Sequence, residues 1–139
     1  MYGKELILDM YDCDVTLFNR YSIETFWGHL CELIDMEASD SYFWDWVGYE
    51  ELEKEAPDHL TGTSGIQFIT TSNITIHTIK ALGEVYLNIF SCKDFDWVDA
   101  LSFCKKFFKA GVVEHEMINR GMTSKYNMER NIKNEKDTN

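Results

Sequence analysis

The sequence predicts an α+β fold, an antiparallel sheet with two main helices packed on one face as a two-layer α/β sandwich. Apolar residues recur every three to four positions from Ile23 to Ile34 and again from Trp97 to Phe108, the period of a helix with one buried stripe. Between these stretches, Ile66 and Phe68, Ile74 and Ile76, then Val85, Leu87 and Ile89 alternate at two-residue spacing, the period of half-buried strands. The order is strand, helix, strands, helix, strand, which suits an antiparallel sheet whose helices share one face.

Each element has its own signal. Glu5 to Met10 is an apolar-rich run of strand length, closed by the polar turn Asp12 to Asp14. Ser22 is placed to cap the first helix, whose stripe is Ile23, Phe26, Trp27, Leu30, Leu33 and Ile34. Residues 73–80 and 84–91 form a hairpin about Leu82 and Gly83; pairing Lys80 with Glu84 and counting back sets Ser72 opposite Cys92. Asp96 caps the second helix with Asp99 at its third position, and Gly111 stops it. Val112 to Met117 is a final strand. Residues 1–120 are thus read as one domain. The stretch 121–139 has too few apolar residues to offset its ordering entropy, and is expected to be a mobile polar tail.

A chain of 139 residues, 45% hydrophobic and 14% aromatic, can bury one sizeable core. Its 24 acidic residues against 13 basic ones exclude a phosphate-binding surface, so nucleic acid is not an expected partner. Eight of the acids fall in residues 37–60 against the single base Lys54, a pattern read as a solvated segment beside an aromatic strand, or as a cation-binding rim. Cys13, Cys31, Cys92 and Cys104 have neither zinc-site nor disulfide-framework spacing. With no apolar run of bilayer length and no signal-peptide pattern at the start, the expected location is cytoplasmic, with no membrane partner. His115 between Glu114 and Glu116 is not a metal site on this reading, because alternation separates the imidazole from both acids. One sheet face is left uncovered by two helices, and a homodimer is the expected way to cover it.

The segment Thr61 to Cys92 sets Ser64, Ser72, His77 and Cys92 along consecutive strands. Strict alternation puts His77 on the opposite face from Ser72, so a bulge, a kink or the strand end must resolve the conflict if both serve one site. With GKELILDMYDCD near the start, TSGI, SNITIHT, NIFSC and VVEHE follow in order, and together they resemble prokaryotic S-adenosylmethionine decarboxylases over roughly residues 3–118.

That resemblance implies a pyruvoyl-dependent decarboxylase of polyamine biosynthesis, made by self-cleavage at Thr71–Ser72 into a β chain, 1–71, and an α chain, 72–139. Ser72 would be the pyruvoyl precursor, the only cofactor, and Ser64 would assist its attack on the preceding carbonyl. His77 would remove the Ser72 α-proton. The pyruvoyl ketone would form a Schiff base with the substrate amine and accept the electrons freed as carbon dioxide leaves. Cys92 would reprotonate the product, a role suited to a thiol of ordinary pKa about 8.5.

The family pattern is altered beside the cleavage point. Thr71 and Asn73 replace a glutamate and a histidine, and Ile79, Lys80 and Ala81 stand where the family has Trp-Pro-Glu, whose glutamate holds the ribose. Asp58 stands near the place of a family aromatic. Three readings follow. The chain acts on S-adenosylmethionine, with the Trp44, Trp46 and Tyr49 region replacing the lost stacking; or on a basic amino acid such as arginine or ornithine, met by Asp45 or Asp58; or it binds a ligand or partner without self-cleavage. Trp46 and Asp58 are the substrate-binding candidates.

Overall fold

The computed structural model describes residues 1–138. Its elements are β1 (Gly3–Tyr11), α1 (Arg20–Leu33), β2 (Ala38–Trp44), α2 (Glu50–Glu55), β3 (Thr63–Ile69), β4 (Ser72–Ile79), β5 (Glu84–Ser91), α3 (Trp97–Phe108), β6 (Val112–Arg120) and α4 (Lys125–Asp137). Short 3-10 turns occupy Val15–Leu17 and Asp58–Leu60. The six strands form one sheet in the order β2-β3-β4-β5-β1-β6, with every neighbouring pair antiparallel.

Alternation along the strands explains the layers. Leu6, Leu8, Met10, Ile74, Ile76, Val85, Leu87 and Ile89 point to one face and are almost fully buried. Helices α1 and α3 cover that face through Ile23, Phe26, Trp27 and Leu30 on one side and Ala100, Cys104 and Phe108 on the other. Phe26 fixes their junction, with ring centroids 5.8 Å from Phe103, 5.2 Å from Phe107 and 4.8 Å from Phe108. Trp27 stacks on Phe43 at 5.1 Å and lies over Gly65, where an added Cβ would come within 2.7 Å of the indole. The predicted two-layer sandwich with two main helices on one face is the observed one. The opposite face is left open.

Several boundaries differ from the sequence reading. Helix α1 is capped by Asn19, whose Oδ1 accepts from the Ser22 amide at 2.9 Å, so Ser22 lies inside the helix. Both asparagine and serine are good caps, and the sequence offers both within four residues. Asp96 caps α3 as expected, accepting from the Asp99 amide at 3.0 Å. That helix ends earlier than Gly111, with Lys109 taking the left-handed turn at φ 53°.

The β4–β5 hairpin is displaced by one residue. Ile79 pairs with Glu84, so the connection holds four residues, closed by a bond from the Gly83 amide to the Ile79 carbonyl at 3.0 Å with Gly83 at φ 67°. Ser72 therefore opposes Ser91 and not Cys92. The acidic segment 37–60 contains β2 as well as the exposed α2.

Residues 125–137, expected to be a mobile tail, form α4. Composition correctly indicates that nothing there is buried, but local capping suffices for a helix. Ser124 accepts from the Tyr126 amide, and Asn127 ties the first turn to Gly121, Met122 and the N-terminal ammonium. Tyr126 meets Tyr2 edge-on at 6.2 Å. No helix among the described residues is long and apolar enough to cross a membrane.

Candidate active site

Register brings together the sequence-predicted site residues in two groups. At one end of β4, Ser64 of β3 stands directly opposite His77, and Ser64 Oγ lies 2.7 Å from His77 Nδ1. This pair is on the open face, because strands β3 and β4 send Ile74, Ile76 and Ile69 to the helices. The same row continues across the sheet as Trp44, Ser64, His77, Tyr86, Asp9 and Glu114. A cavity of about 520 Å³ opens there, with Ser64 and His77 in its floor and Tyr42, Trp44 and Tyr86 among its walls. Trp44 is 62% exposed, an uncommon position for an indole and one that leaves a flat face for a ligand ring.

At the other end of β4, two residues, Thr70 and Thr71, connect β3 to β4, so the Thr71–Ser72 peptide lies at a tight hairpin corner. The Cys92 amide donates to the Thr71 carbonyl at 3.2 Å. Thr71 Oγ1 lies 2.9 Å from Ser91 Oγ, and Asn73 Nδ2 donates to Ser72 Oγ at 3.1 Å. The Cys92 side chain is exposed and lies beside Tyr2, whose phenol is held above its ordinary value chiefly by that neighbour. Cys31 and Cys104 are buried, and burial pushes the Cys31 thiol up to about 11. Of the four cysteines only Cys92 combines exposure with a place beside the hairpin corner.

The two groups do not meet within one chain. His77 and Ser72 are five residues apart on one strand, which at about 3.3 Å per residue is roughly 16 Å, and they face opposite sides of the sheet. No bulge intervenes, since the pairing of β4 with both neighbours is unbroken.

The substrate candidates are redistributed. Trp46 lines a different cavity, with Phe18, Arg20 and Lys80, while Trp44 and Tyr42 border the Ser64–His77 pair. Asp58 begins a 3-10 turn and lines neither cavity. Asp45 is gripped by Arg20 through two bonds of 2.6 and 2.8 Å, and that guanidinium holds its carboxyl below the usual range. The sequence contained the signal for Trp44: an aromatic in a two-residue alternation with Tyr42, on the strand preceding Ser64. His115 stacks on Trp97 at 5.3 Å on the helix side, whereas Glu114 accepts from Tyr11 Oη at 3.3 Å on the open side.

The S-adenosylmethionine decarboxylase family profile matches residues 4–121. The chain is 30% identical over 118 residues to the S-adenosylmethionine decarboxylase proenzyme of Fervidobacterium nodosum, covering 81% of this chain and 77% of that one. It is 28% identical over 126 residues to the proenzyme of the same name from Acetivibrio thermocellus, with 86% and 89% covered. Its fold is similar to that of the adenosylmethionine decarboxylase from Aquifex aeolicus, with a TM-score of 0.70 at 16% identity over 89% of this chain and 94% of that one. On the extent of the family match and of the sequence identity, the chain belongs to the S-adenosylmethionine decarboxylase family.

Proposed function

We propose that the protein is a pyruvoyl-dependent decarboxylase of S-adenosylmethionine that matures by cleaving its own Thr71–Ser72 bond. The observation that carries this is the Cys92 amide donating to the Thr71 carbonyl. An amide is a poor electrophile, so attack on it needs a donor placed where negative charge develops. Ser72 Oγ attacks the Thr71 carbonyl carbon, the oxygen gains charge against the Cys92 N–H, and the C–N bond breaks to leave an ester and the free Ser72 amine. Removal of the Ser72 α-proton then expels the Thr71 carboxylate, and water replaces the nitrogen, released as ammonia, to leave a pyruvoyl group at residue 72. Ser72 at a hairpin corner fits that conversion, because the new chain ends can separate without breaking the ladder below Asn73.

The α-proton needs a base, and the His77 imidazole, oriented by its contact with Ser64, is suited to that role. Since that pair lies roughly 16 Å from Ser72 in its own chain, we assign it to the site of a second copy. A twofold axis lying between two open sheet faces and running across the strands exchanges the two ends of β4. It sets the hairpin corner of one protomer, with its Thr71–Ser72 peptide and Cys92, over Ser64 and His77 of the other. The Ser72 side chain faces the helices in the uncut chain, and the corner, freed as the amide gives way to the ester, turns the Ser72 α-carbon toward the partner's imidazole. A homodimer of this kind also covers the open face.

Once formed, the pyruvoyl carbonyl supplies the electron sink for loss of carbon dioxide. Cys92 holds the proton delivered to the α-carbon, at the same hairpin corner. Trp44 and Tyr42 offer the flat surface for the nucleobase in place of the residues changed at Ile79 and Ala81. The named relatives support S-adenosylmethionine as the substrate. A basic amino acid has less support, because Asp45 is already bound by Arg20 and Asp58 lies outside both cavities. Carbon dioxide release measured in parallel from S-adenosylmethionine, arginine and ornithine tests the assignment. Release from arginine or ornithine alone would refute it.

A further inference from the structure

Helix α4 follows the segment matched by the family profile, which stops at residue 121. It nevertheless borders the reacting end of the sheet. A cavity of about 320 Å³ beside Cys92 is lined by Tyr2, Lys4 and Lys93 from the sheet side and by Tyr126 and Arg130 from α4. The helix is fixed there through its first turn, by Asn127 to Gly121, Met122 and the N-terminus, and by Tyr126 against Tyr2.

The charges around this cavity are not equivalent. Lys4 is paired with Asp94, and Lys93 donates to Asp35 Oδ2 at 2.8 Å and to its carbonyl at 2.5 Å. Arg130 forms no ion pair among the described residues. The protein carries a net charge of -11, yet at physiological salt the field is screened beyond about 8 Å. An anion entering this cavity therefore responds chiefly to the charges that line it, where Asp94 offsets Lys4 and the N-terminal ammonium donates to Asn127 Oδ1, while the Arg130 guanidinium meets no carboxylate among the described residues. A guanidinium presents a planar fork that matches a carboxylate.

We propose that α4 completes the Cys92 cavity as a carboxylate-capturing wall, with Arg130 as the cation that draws in the α-carboxylate of the substrate. This rests on the reading that the Cys92 corner is the reacting end of the site. Arg130 acts in capture, since holding the carboxylate in charged form gives nothing to its loss as neutral carbon dioxide.

Alkylation of Cys92 tests this without reference to the substrate's identity. Iodoacetate carries a carboxylate and iodoacetamide does not, while both deliver the same carbon to the thiolate with loss of iodide. The ratio of their rates at Cys92, read by mass spectrometry on the full-length sequence, isolates the attraction for the carboxylate. Arg130→Gln is expected to lower the ratio about threefold at low salt, Arg130→Lys, which keeps the charge without the fork, to lower it less, and Asn127→Ala, which unties α4, to lower it as well. An unchanged ratio in Arg130→Gln overturns the proposal. Self-cleavage, followed by intact mass in the same samples, reports separately on the underlying function: a cleaved protein with an unchanged ratio refutes the carboxylate wall alone.

Discussion

Mixing two inactive variants tests how the halves of the site meet. Ser72→Ala removes the attacking hydroxyl and keeps His77, and His77→Ala does the reverse. A base must come within about 3 Å of its proton, directly or through one water, whereas the two residues are separated by roughly 16 Å along β4 and lie on opposite faces. No rotamer closes that gap, so each variant expressed alone is expected to remain full length. Co-expressed in equal amounts, random pairing makes about half of the dimers mixed, and each mixed dimer has one complete site. It consists of Ser72 from the His77→Ala chain and His77 from the Ser72→Ala chain. About half of the His77→Ala chains, and none of the Ser72→Ala chains, are then cut, roughly a quarter of all chains. Tags of different mass on the two chains let intact-mass spectrometry assign each fragment. Full-length protein alone in the mixed sample would refute the shared site, as would wild-type cleavage of His77→Ala purified by itself.

Other substitutions separate the steps. Cys92→Ala keeps the backbone amide that contacts the Thr71 carbonyl, so self-cleavage is expected to persist while carbon dioxide release falls about a hundredfold or more; equal loss of both contradicts the division of roles. Trp44→Ala is expected to raise KM for S-adenosylmethionine about tenfold, a stacking contact of about 1–1.5 kcal/mol, with cleavage unaffected, and an unchanged KM removes Trp44 from the site. Phe26→Ala is expected to cost about 3–5 kcal/mol of stability by denaturant titration, since its ring sits between three others, and a loss below about 1 kcal/mol contradicts the packing. Burial, then the charges of Glu114 and Glu84, raise the Asp9 carboxyl above its usual range. A raised folded-state value stabilises the fold only while the group is protonated. That contribution is full below about pH 4 and is lost as pH rises through the folded-state value. Asp9→Asn is therefore expected to raise Tm at pH 7 by about 2 °C and to change it little at pH 4, and the reverse pattern would contradict it.

The sheet and both large helices were legible because their side chains carry the pattern: Leu6, Leu8 and Met10 alternate, and Phe26, Leu30, Cys104 and Phe108 repeat with the helix. The hairpin register was not. Whether Lys80 or Ile79 pairs with Glu84 depends on how many residues the loop takes, and Gly83 accommodates either length on paper. That single step exchanges Cys92 for Ser91 opposite Ser72. The relation of Cys92 to the proposed cleavage point then runs through its backbone amide, which no side-chain pattern announces. Alternation correctly separated His77 from Ser72, and the unbroken ladder of β4 removed the bulge that would have joined them. Trp44 was visible as part of an aromatic strand, but its neighbour Ser64 lies twenty residues on, and only the β2–β3 pairing places them together. Helix α4 has no buried residue for periodicity to report. It depends on caps at Ser124 and Asn127, which a composition-based reading passes over.

Intact mass of freshly purified protein, followed during incubation, reads out whether the chain cuts itself at Thr71–Ser72. The 16.3 kDa species is expected to be replaced by two chains, residues 1–71 and 72–139, the second beginning with a pyruvoyl group and resistant to N-terminal sequencing, while Ser72→Ala stays whole. A single full-length mass that persists in the wild-type protein would contradict it.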